Sequence, residues 1–393
     1  MLQCAIAATP ELDYSKRAVA KKDTHYIDDI IADCNRALKL DPKDAKAYFT
    51  RGVAKQASRD IDGAIADYNR ALELNPKDAK AYINRGLTKQ TKGDLDGAVA
   101  DYNRGLELNP KDAAAYTKAY NARGFAKQTK GDLDGALADY NRALELNPKD
   151  AAACFNRGVV KKDKGDLDGA IADFAHVLQL NPKDATAYVN RGLTKQIKGD
   201  LDGALADYNR ALELNPKDST AYKATAYNAR GVIKEAKGDR DGAIADYDRA
   251  LKLNPKDAKA YYNRGLTKQK KDDCDGAIAD YNHALELNPK NASAYNARGV
   301  IKEANGDRDG AIADYNHALE LNPEDAPAYN NRGYAKYARG DSDGAIADYN
   351  RALELNPKDR TALQNRSVAK RAKGDIDGAN ADCSRALQLN PSR

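Results

Sequence analysis

The sequence has no tryptophan, one methionine, four histidines and five cysteines in 393 residues. The cysteines are widely spaced and form no CxxC motif, so neither a disulfide framework nor a zinc site is predicted. No serine or cysteine is arranged with the histidines as a nucleophile, and the glycines occur singly, not in a phosphate-binding loop. We therefore expect no catalytic residues, no metal and no cofactor, and the chain is not predicted to be an enzyme.

Long apolar runs and blocks of like charge are also missing. No run approaches the ~18 residues of a membrane-spanning helix. The net charge of +5 comes from 64 basic and 59 acidic residues that are interleaved along the chain, which argues against nucleic acid and membrane partners. The start, MLQCAIAATP, is too short and too weakly basic for a secretory signal. A cytoplasmic location is expected, with a signal peptide clipped from the start as the alternative.

What the sequence does contain is a period. Prolines preceded by Asn or Asp recur at a spacing of 34 residues, except for two intervals of 38 and 39, at Pro42, Pro76, Pro110, Pro148, Pro182, Pro216, Pro255, Pro289, Pro323, Pro357 and Pro391. A fixed period of this length is typical of a solenoid. When each proline is given position 32, eleven repeats span residues 11–393 and residues 1–10 form an N-terminal tail. Repeats four and seven carry insertions of four and five residues.

Each repeat reads as two helices. In the third repeat, Asp78 is suited to cap a first helix and Gly93 to end it. Asp94 is suited to cap a second helix, which Pro110 stops. The insertion in repeat four adds a whole turn, so its first helix is predicted to be longer. The insertion in repeat seven does not fit whole turns, and a bulge or a longer loop is expected there.

The third repeat contains Tyr82-x2-Arg85-Gly86-x2-Lys89, then Ala98-x3-Tyr102, then Pro110. This arrangement resembles the tetratricopeptide repeat pattern, and the resemblance covers nearly all of the chain after residue 10. It implies an all-α, right-handed superhelical solenoid of antiparallel helix pairs, with first helices on the concave face. It also implies a non-catalytic scaffold for protein–protein interaction.

The repeats depart from that pattern at three positions. Position 7 is Arg, position 11 is Lys and position 23 is Asp in all eleven copies, as in Arg85, Lys89 and Asp101. The strict co-occurrence of two cations and one anion indicates internal pairing at the seam between the helices, with Asp101 the partner of one of the cations. The alternative is a basic binding stripe on the surface.

A candidate binding surface lies on the first helices. Every repeat from the third onward offers an asparagine beside an apolar residue. The asparagines are Asn84, Asn121, Asn156, Asn190, Asn228, Asn263, Asn296, Asn331 and Asn365. The apolar and aromatic residues chosen with them are Leu87, Phe125, Val159, Leu193, Leu266, Tyr334 and Tyr337. Asparagine carries a donor and an acceptor, so such a ladder suits an extended peptide backbone. It is similar to the asparagine ladder of O-GlcNAc transferases. Alternatively, each Asn bonds its own helix or the next one.

The sequence therefore predicts a protein or peptide partner, bound in the concave groove as an extended segment or as a helix. Self-association through the uncapped ends of the solenoid is a further expectation. Two other interpretations stay open. The chain is the substrate-recruiting arm of a transferase-type enzyme whose catalytic domain lies elsewhere, or it is a near-consensus array with a structural role.

Overall fold

The computed structural model describes residues 24–108, 113–214 and 220–389. These residues form 21 helices, and the described part of the chain contains no strand. The chain divides into two compact units, residues 1–200 and 201–393, and each unit is described by itself.

The first unit contains helices α1 to α10. They are α1 (Thr24–Leu40), α2 (Ala45–Ala57), α3 (Ile61–Leu74), α4 (Ala79–Lys92), α5 (Leu95–Leu108), α6 (Ala113–Thr129), α7 (Leu133–Leu146), α8 (Ala151–Asp163), α9 (Leu167–Leu180) and α10 (Ala185–Lys198). From α2 onward, the even-numbered helices are the first helices of the repeats and the odd-numbered ones are the second helices. Each first helix packs against the second helix that follows it, and each second helix before α10 packs against the next repeat.

The second unit contains helices α11 to α21. They are α11 (Leu201–Leu214), α12 (Thr220–Ala236), α13 (Arg240–Leu253), α14 (Ala258–Gln269), α15 (Cys274–Leu287), α16 (Ala292–Ala304), α17 (Arg308–Leu321), α18 (Ala326–Ala338), α19 (Ser342–Leu355), α20 (Arg360–Ala372) and α21 (Ile376–Gln388). The same order of packing, first helix on second helix and then on the next repeat, runs through this unit. The predicted all-α fold of helix pairs is confirmed, whereas one continuous array over residues 11–393 stays a prediction.

The helix ends follow the capping residues that the sequence indicates. Asp78 accepts a hydrogen bond from the backbone N–H of Ala81, and Asp94 accepts one from Gly97 at 2.9 Å. These bonds satisfy backbone donors that the first helical turn leaves free. Gly93 ends α4 with φ of 92°, a left-handed conformation that costs glycine little.

The core of each repeat is a close approach between its two helices. In the third repeat, Ala98 and Tyr102 on α5 are fully buried against Gly86 on α4. A Cβ atom added to Gly86 would lie 2.8 Å from Cε1 of Tyr102, so any larger residue would push the helices apart. The glycine at position 8 therefore determines how closely the two helices approach.

The two insertions both lengthen a first helix. Helix α6 has 17 residues where α4 has 14, which confirms the extra turn predicted for repeat four. Helix α12 also has 17 residues and runs without a break, so the expected bulge in repeat seven is wrong. The added residues extend α12 at its start, where Tyr222 is buried on the new turn and Tyr227 keeps its usual place. The alternative, a longer loop, falls on residues 215–219, outside the described residues.

Candidate functional site

The Arg at position 7 binds residues of its own repeat and of the preceding one. In α4, Arg85 donates from Nε and Nη2 to both carboxylate oxygens of Asp101, at 2.8 and 2.6 Å. Its Nη1 donates to Oδ1 of Asn69 in the preceding repeat at 2.8 Å, and its guanidinium lies 5.3 Å from the centre of the Tyr82 ring. Nζ of Lys89 lies 2.9 Å from Oδ2 of Asp101. Asp101 thus pairs with both cations, not with one of them, and Arg85 joins two repeats.

This Arg–Asp–Lys triad recurs along both units. It is formed by Arg51, Arg85, Arg123, Arg157, Arg230, Arg264, Arg298, Arg332 and Arg366 with the Asp and Lys of the same repeat. The side chains of these arginines are between 15% and 22% exposed. Internal pairing is therefore confirmed, and a basic binding stripe is not available because the guanidinium groups already bind neighbouring helices.

The triad also shifts the acidity of its carboxylate. Burial alone would raise the pKa of Asp246, but hydrogen bonds from Arg230 and Lys234 outweigh burial and hold the pKa below its ordinary value. The stabilisation from this carboxylate is therefore complete above the ordinary pKa of aspartate and is lost as pH falls through the lower, folded-state pKa.

The predicted asparagines behave in two ways. Asn84 and Asn190 donate to the carbonyl oxygens of Lys80 and Thr186 in their own helices. By contrast, Nδ2 of an asparagine at position 6 donates to Oδ1 of an asparagine at position 5 in the preceding repeat in four cases. The pairs are Asn156–Asn121, Asn263–Asn228, Asn331–Asn296 and Asn365–Asn330, at 3.0–3.1 Å. The structure thus links eight asparagines in pairs across repeats, and each paired amide keeps unused hydrogen-bonding capacity.

The predicted apolar residues also differ among themselves. Phe125 and Tyr334 are each 47% exposed, whereas Val159 and Leu193 are half-buried. Leu87, Leu266 and Tyr337 are half-buried too, and they pack against core clusters of neighbouring residues. The freest aromatic surface among the predicted site residues is therefore that of Phe125 and Tyr334.

In the second unit, part of this surface forms a pocket of about 290 Å³. Its walls come from the first helices of repeats nine, ten and eleven, including Val300, Glu303, Asn331, Tyr334, Thr361 and Asn365, and from Tyr315 on the second helix of repeat nine. Three of these are predicted site residues, and the structure brings them together. The volume suits a side chain better than a drug-sized molecule.

Sequence reasoning missed Glu303, Asn330 and Thr361 in this pocket. A signal for Glu303 was present, because position 12 is glutamine in five repeats and glutamate only in repeats seven and nine. The common glutamines have a structural role: Tyr102 donates to Gln90 at 2.7 Å, and the same bond recurs in other repeats. A glutamate at this position adds a charge that the fold does not require.

The described residues contain no group of three or more His, Cys, Asp or Glu side chains placed to hold a metal ion. Among them, no helix combines the length and apolar character needed to cross a membrane. Of the described cysteines, Cys34 and Cys154 are buried free thiols, and burial raises the pKa of Cys154 to about 11.

Comparison with protein families gives repeated matches to tetratricopeptide repeats. One TPR repeat model matches residues 60–93, 129–165, 231–272, 270–306 and 304–340. Two further tetratricopeptide repeat models match residues 79–112, 185–218 and 326–359, and residues 151–184. Together they cover residues 60–112, 129–218 and 231–359, which is more than half of the chain. The chain belongs to the tetratricopeptide repeat family.

Solved structures contain similar repeats, although no curated protein sequence matches the chain significantly. The pilF protein of Pseudomonas aeruginosa is 17% identical, with a TM-score of 0.50, over 56% of this chain and 97% of its own. A tetratricopeptide repeat protein of Parabacteroides merdae is 21% identical, with a TM-score of 0.48, over 65% and 98%. YrrB, described as a TPR protein with an unusual peptide-binding site, is 26% identical, with a TM-score of 0.42, over 51% and 97%. The likeness to pilF shows the fold alone.

Proposed function

We propose that this tetratricopeptide repeat chain is a non-catalytic scaffold that binds an extended peptide of another protein along its first helices. The observation that carries the proposal lies in the second unit, where the amides of Asn331 and Asn365 and the exposed ring of Tyr334 line one pocket. Amide groups can bond both the N–H and the C=O of a peptide, and they do so without reading its sequence. The interleaved charges favour a protein partner over nucleic acid. The proposed location is the cytoplasm, as expected from the sequence.

The first step of the test is to select peptides from a random display library against the intact chain. A selected peptide is then titrated against the triple variant Asn156→Ala, Asn190→Ala and Asn263→Ala. Each hydrogen bond to an uncharged partner contributes ~0.5–1.5 kcal/mol, so the affinity should fall about tenfold or more. The matched control is Asn75→Ala, Asn181→Ala and Asn254→Ala, which changes three exposed asparagines in the turns between repeats. This control should keep the affinity.

Thermal melting separates binding from folding. The groove triple variant should melt close to the parent chain, because the amide pairs lost from Asn156 and Asn263 are partly exposed bonds between neutral groups. If that variant melts early and still binds the peptide with full affinity, the asparagines hold the repeats together and the peptide surface lies elsewhere.

A further inference from the structure

Glu303 is a half-buried carboxylate in the wall of the pocket in the second unit. Within the described residues, no Lys, Arg or His nitrogen lies within 4.0 Å of it. The cations on neighbouring helices are already paired, since Lys302 binds Asp314 and Lys336 binds Asp348. The pocket therefore has a negative charge that the fold leaves without a counter-charge.

The equivalent carboxylate two repeats earlier is neutralised. Glu235 also occupies position 12, and Nζ of Lys270 from the next repeat lies 2.6 Å from its Oε1. The residue that corresponds to Lys270 in the repeat after Glu303 is Ala338. An alanine cannot reach or neutralise the carboxylate, so a cation from outside can take the place that Lys270 occupies at Glu235.

Two other pocket residues offer oxygens suited to a group that only donates hydrogen bonds. Asn331 and Asn365 use Nδ2 to donate to the preceding repeat, and no donor among the described residues bonds their Oδ1 atoms. Two amide oxygens and one carboxylate therefore offer acceptors on the same pocket wall. The exposed ring of Tyr334 adds an aromatic face, which attracts cations.

We propose that this pocket binds a cationic side chain of the partner peptide, arginine in preference to lysine. The proposal rests on the peptide-binding function proposed above and names the chemistry that the pocket recognises. A guanidinium carries five donors and no acceptor, so it matches the acceptors of Glu303, Asn331 and Asn365. The planar face of the guanidinium can lie on the ring of Tyr334 while two of its N–H groups donate to the carboxylate of Glu303.

The probes are short acetylated and amidated glycine–serine peptides that differ only in the central residue, which is arginine, lysine, citrulline or glutamate. Citrulline keeps the shape of arginine without its charge. Binding to the intact chain is measured by titration, together with the side-chain amide signals of Asn331 and Asn365 in NMR spectra. The arginine peptide should bind about tenfold more tightly than the citrulline peptide, since a hydrogen bond to a charged group exceeds one between neutral groups. The difference should shrink as salt is added.

The decisive variant is Glu303→Gln, which removes the charge and installs the residue that five repeats carry at position 12. Because glutamine accepts from the buried tyrosine in those repeats, the variant is expected to fold. It should abolish the preference for arginine over citrulline. The matched control Glu235→Gln should leave that preference unchanged, because Lys270 already neutralises Glu235.

The outcomes separate this proposal from the one on which it rests. If all four peptides shift the asparagine signals equally and Glu303→Gln has no effect, the surface binds peptides but the cation pocket is wrong. If no peptide shifts those signals, both proposals are wrong. A preference for arginine that survives Glu303→Gln would place the cation elsewhere and overturn the assignment of Glu303.

Discussion

Repeats seven and nine contain the same nine residues, Asn228–Ala236 and Asn296–Ala304, yet they present different surfaces. The scaffolding of the two regions is the same. Asn228 and Asn296 each accept from the next repeat at 3.1 Å, and the arginine of each region binds both oxygens of its aspartate. The carboxylates at position 12 differ, because Lys270 pairs with Glu235, whereas the residue equivalent to Lys270 in the repeat after Glu303 is Ala338.

The comparison shows that side chains of the following repeat determine the surface chemistry of a repeat. Residues inside the helix pair determine how the helices approach, and those are the same in both regions. Residues at positions 9, 12 and 13 of the following repeat determine two properties of this surface. One is whether the carboxylate at position 12 is neutralised, and the other is whether an aromatic ring lies beside it. Repetition of a nearly constant framework therefore allows a few substitutions to make one repeat interface unlike another.

The largest expected effect tests the shared framework. Asp246→Ala and Asp314→Ala should each destabilise the second unit by about 3–5 kcal/mol, because each leaves a partly buried arginine and lysine without their anion. The two losses should agree within about 1 kcal/mol if the regions have the same scaffolding, since the one additional pair, Arg249 with Asp246, is a surface pair. Thermal melting and hydrogen exchange of the helices around each site measure both. The exposed Asp309, which pairs with Arg339, is the control, and Asp309→Ala should cost less than about 1 kcal/mol.

Exchanging the residue at position 13 should convert one region into the other. Ala338→Lys places an ammonium where Lys270 lies in the earlier region, so it should remove the roughly tenfold preference for the arginine peptide over citrulline. Lys270→Ala should create a second cation site at Glu235. Both are measured by peptide titration. The control Ala236→Lys adds the same charge at the same repeat position, away from Glu303, and should keep the preference for the arginine peptide. If Ala338→Lys also keeps this preference, the difference between the two regions has no bearing on binding.

Much of the framework could be predicted from the sequence because its causes are local or strictly periodic. Capping by Asp78 and Asp94 depends on residues a few positions away, and the pairing of Arg85 with Asp101 follows from an invariant spacing. The bulge expected in repeat seven failed because the added residues joined the start of α12, where the helix was free to grow.

The candidate site was less predictable because it depends on distances between repeats. The sequence predicts an asparagine in every repeat from the third onward, but the arrangement of asparagines into pairs requires the packing of one first helix against the next. Glu303 was missed for the same reason. Its unpaired charge is recognised only when the Lys270–Glu235 pair shows that position 13 of the next repeat can neutralise position 12, and that position after Glu303 is Ala338.

The aromatic wall provides a smaller test of the same comparison. Position 9 of the following repeat is Leu266 in the earlier region and Tyr334 in the later one. Tyr334→Leu should weaken the arginine peptide about two- to fivefold, since a cation–π contact at an exposed site contributes ~0.5–1 kcal/mol. Its effect on the citrulline peptide should be smaller. Equal weakening of both peptides in titration would mean that Tyr334 contributes apolar contact only.

The smallest expected effect concerns the turn that follows each of these first helices. Asp272 ends repeat eight's turn with φ of 62°, and Gly340 occupies the same position in repeat ten with φ of 95°. A left-handed conformation costs a residue with a side chain ~1–2 kcal/mol, and the greater freedom of glycine in the unfolded chain offsets part of this.

Asp272→Gly should therefore stabilise the earlier region by roughly 0.5 kcal/mol, and Gly340→Asp should destabilise the later one by a similar amount. No atom lies within 4 Å of a Cβ added at Gly340, so a steric clash does not enter the reverse change. Hydrogen exchange of α14 and α18 measures each effect locally, which matters because repeat arrays need not unfold in one step. If both variants are less stable than the parent chain, Asp272 makes a favourable contact in its turn that outweighs the backbone cost.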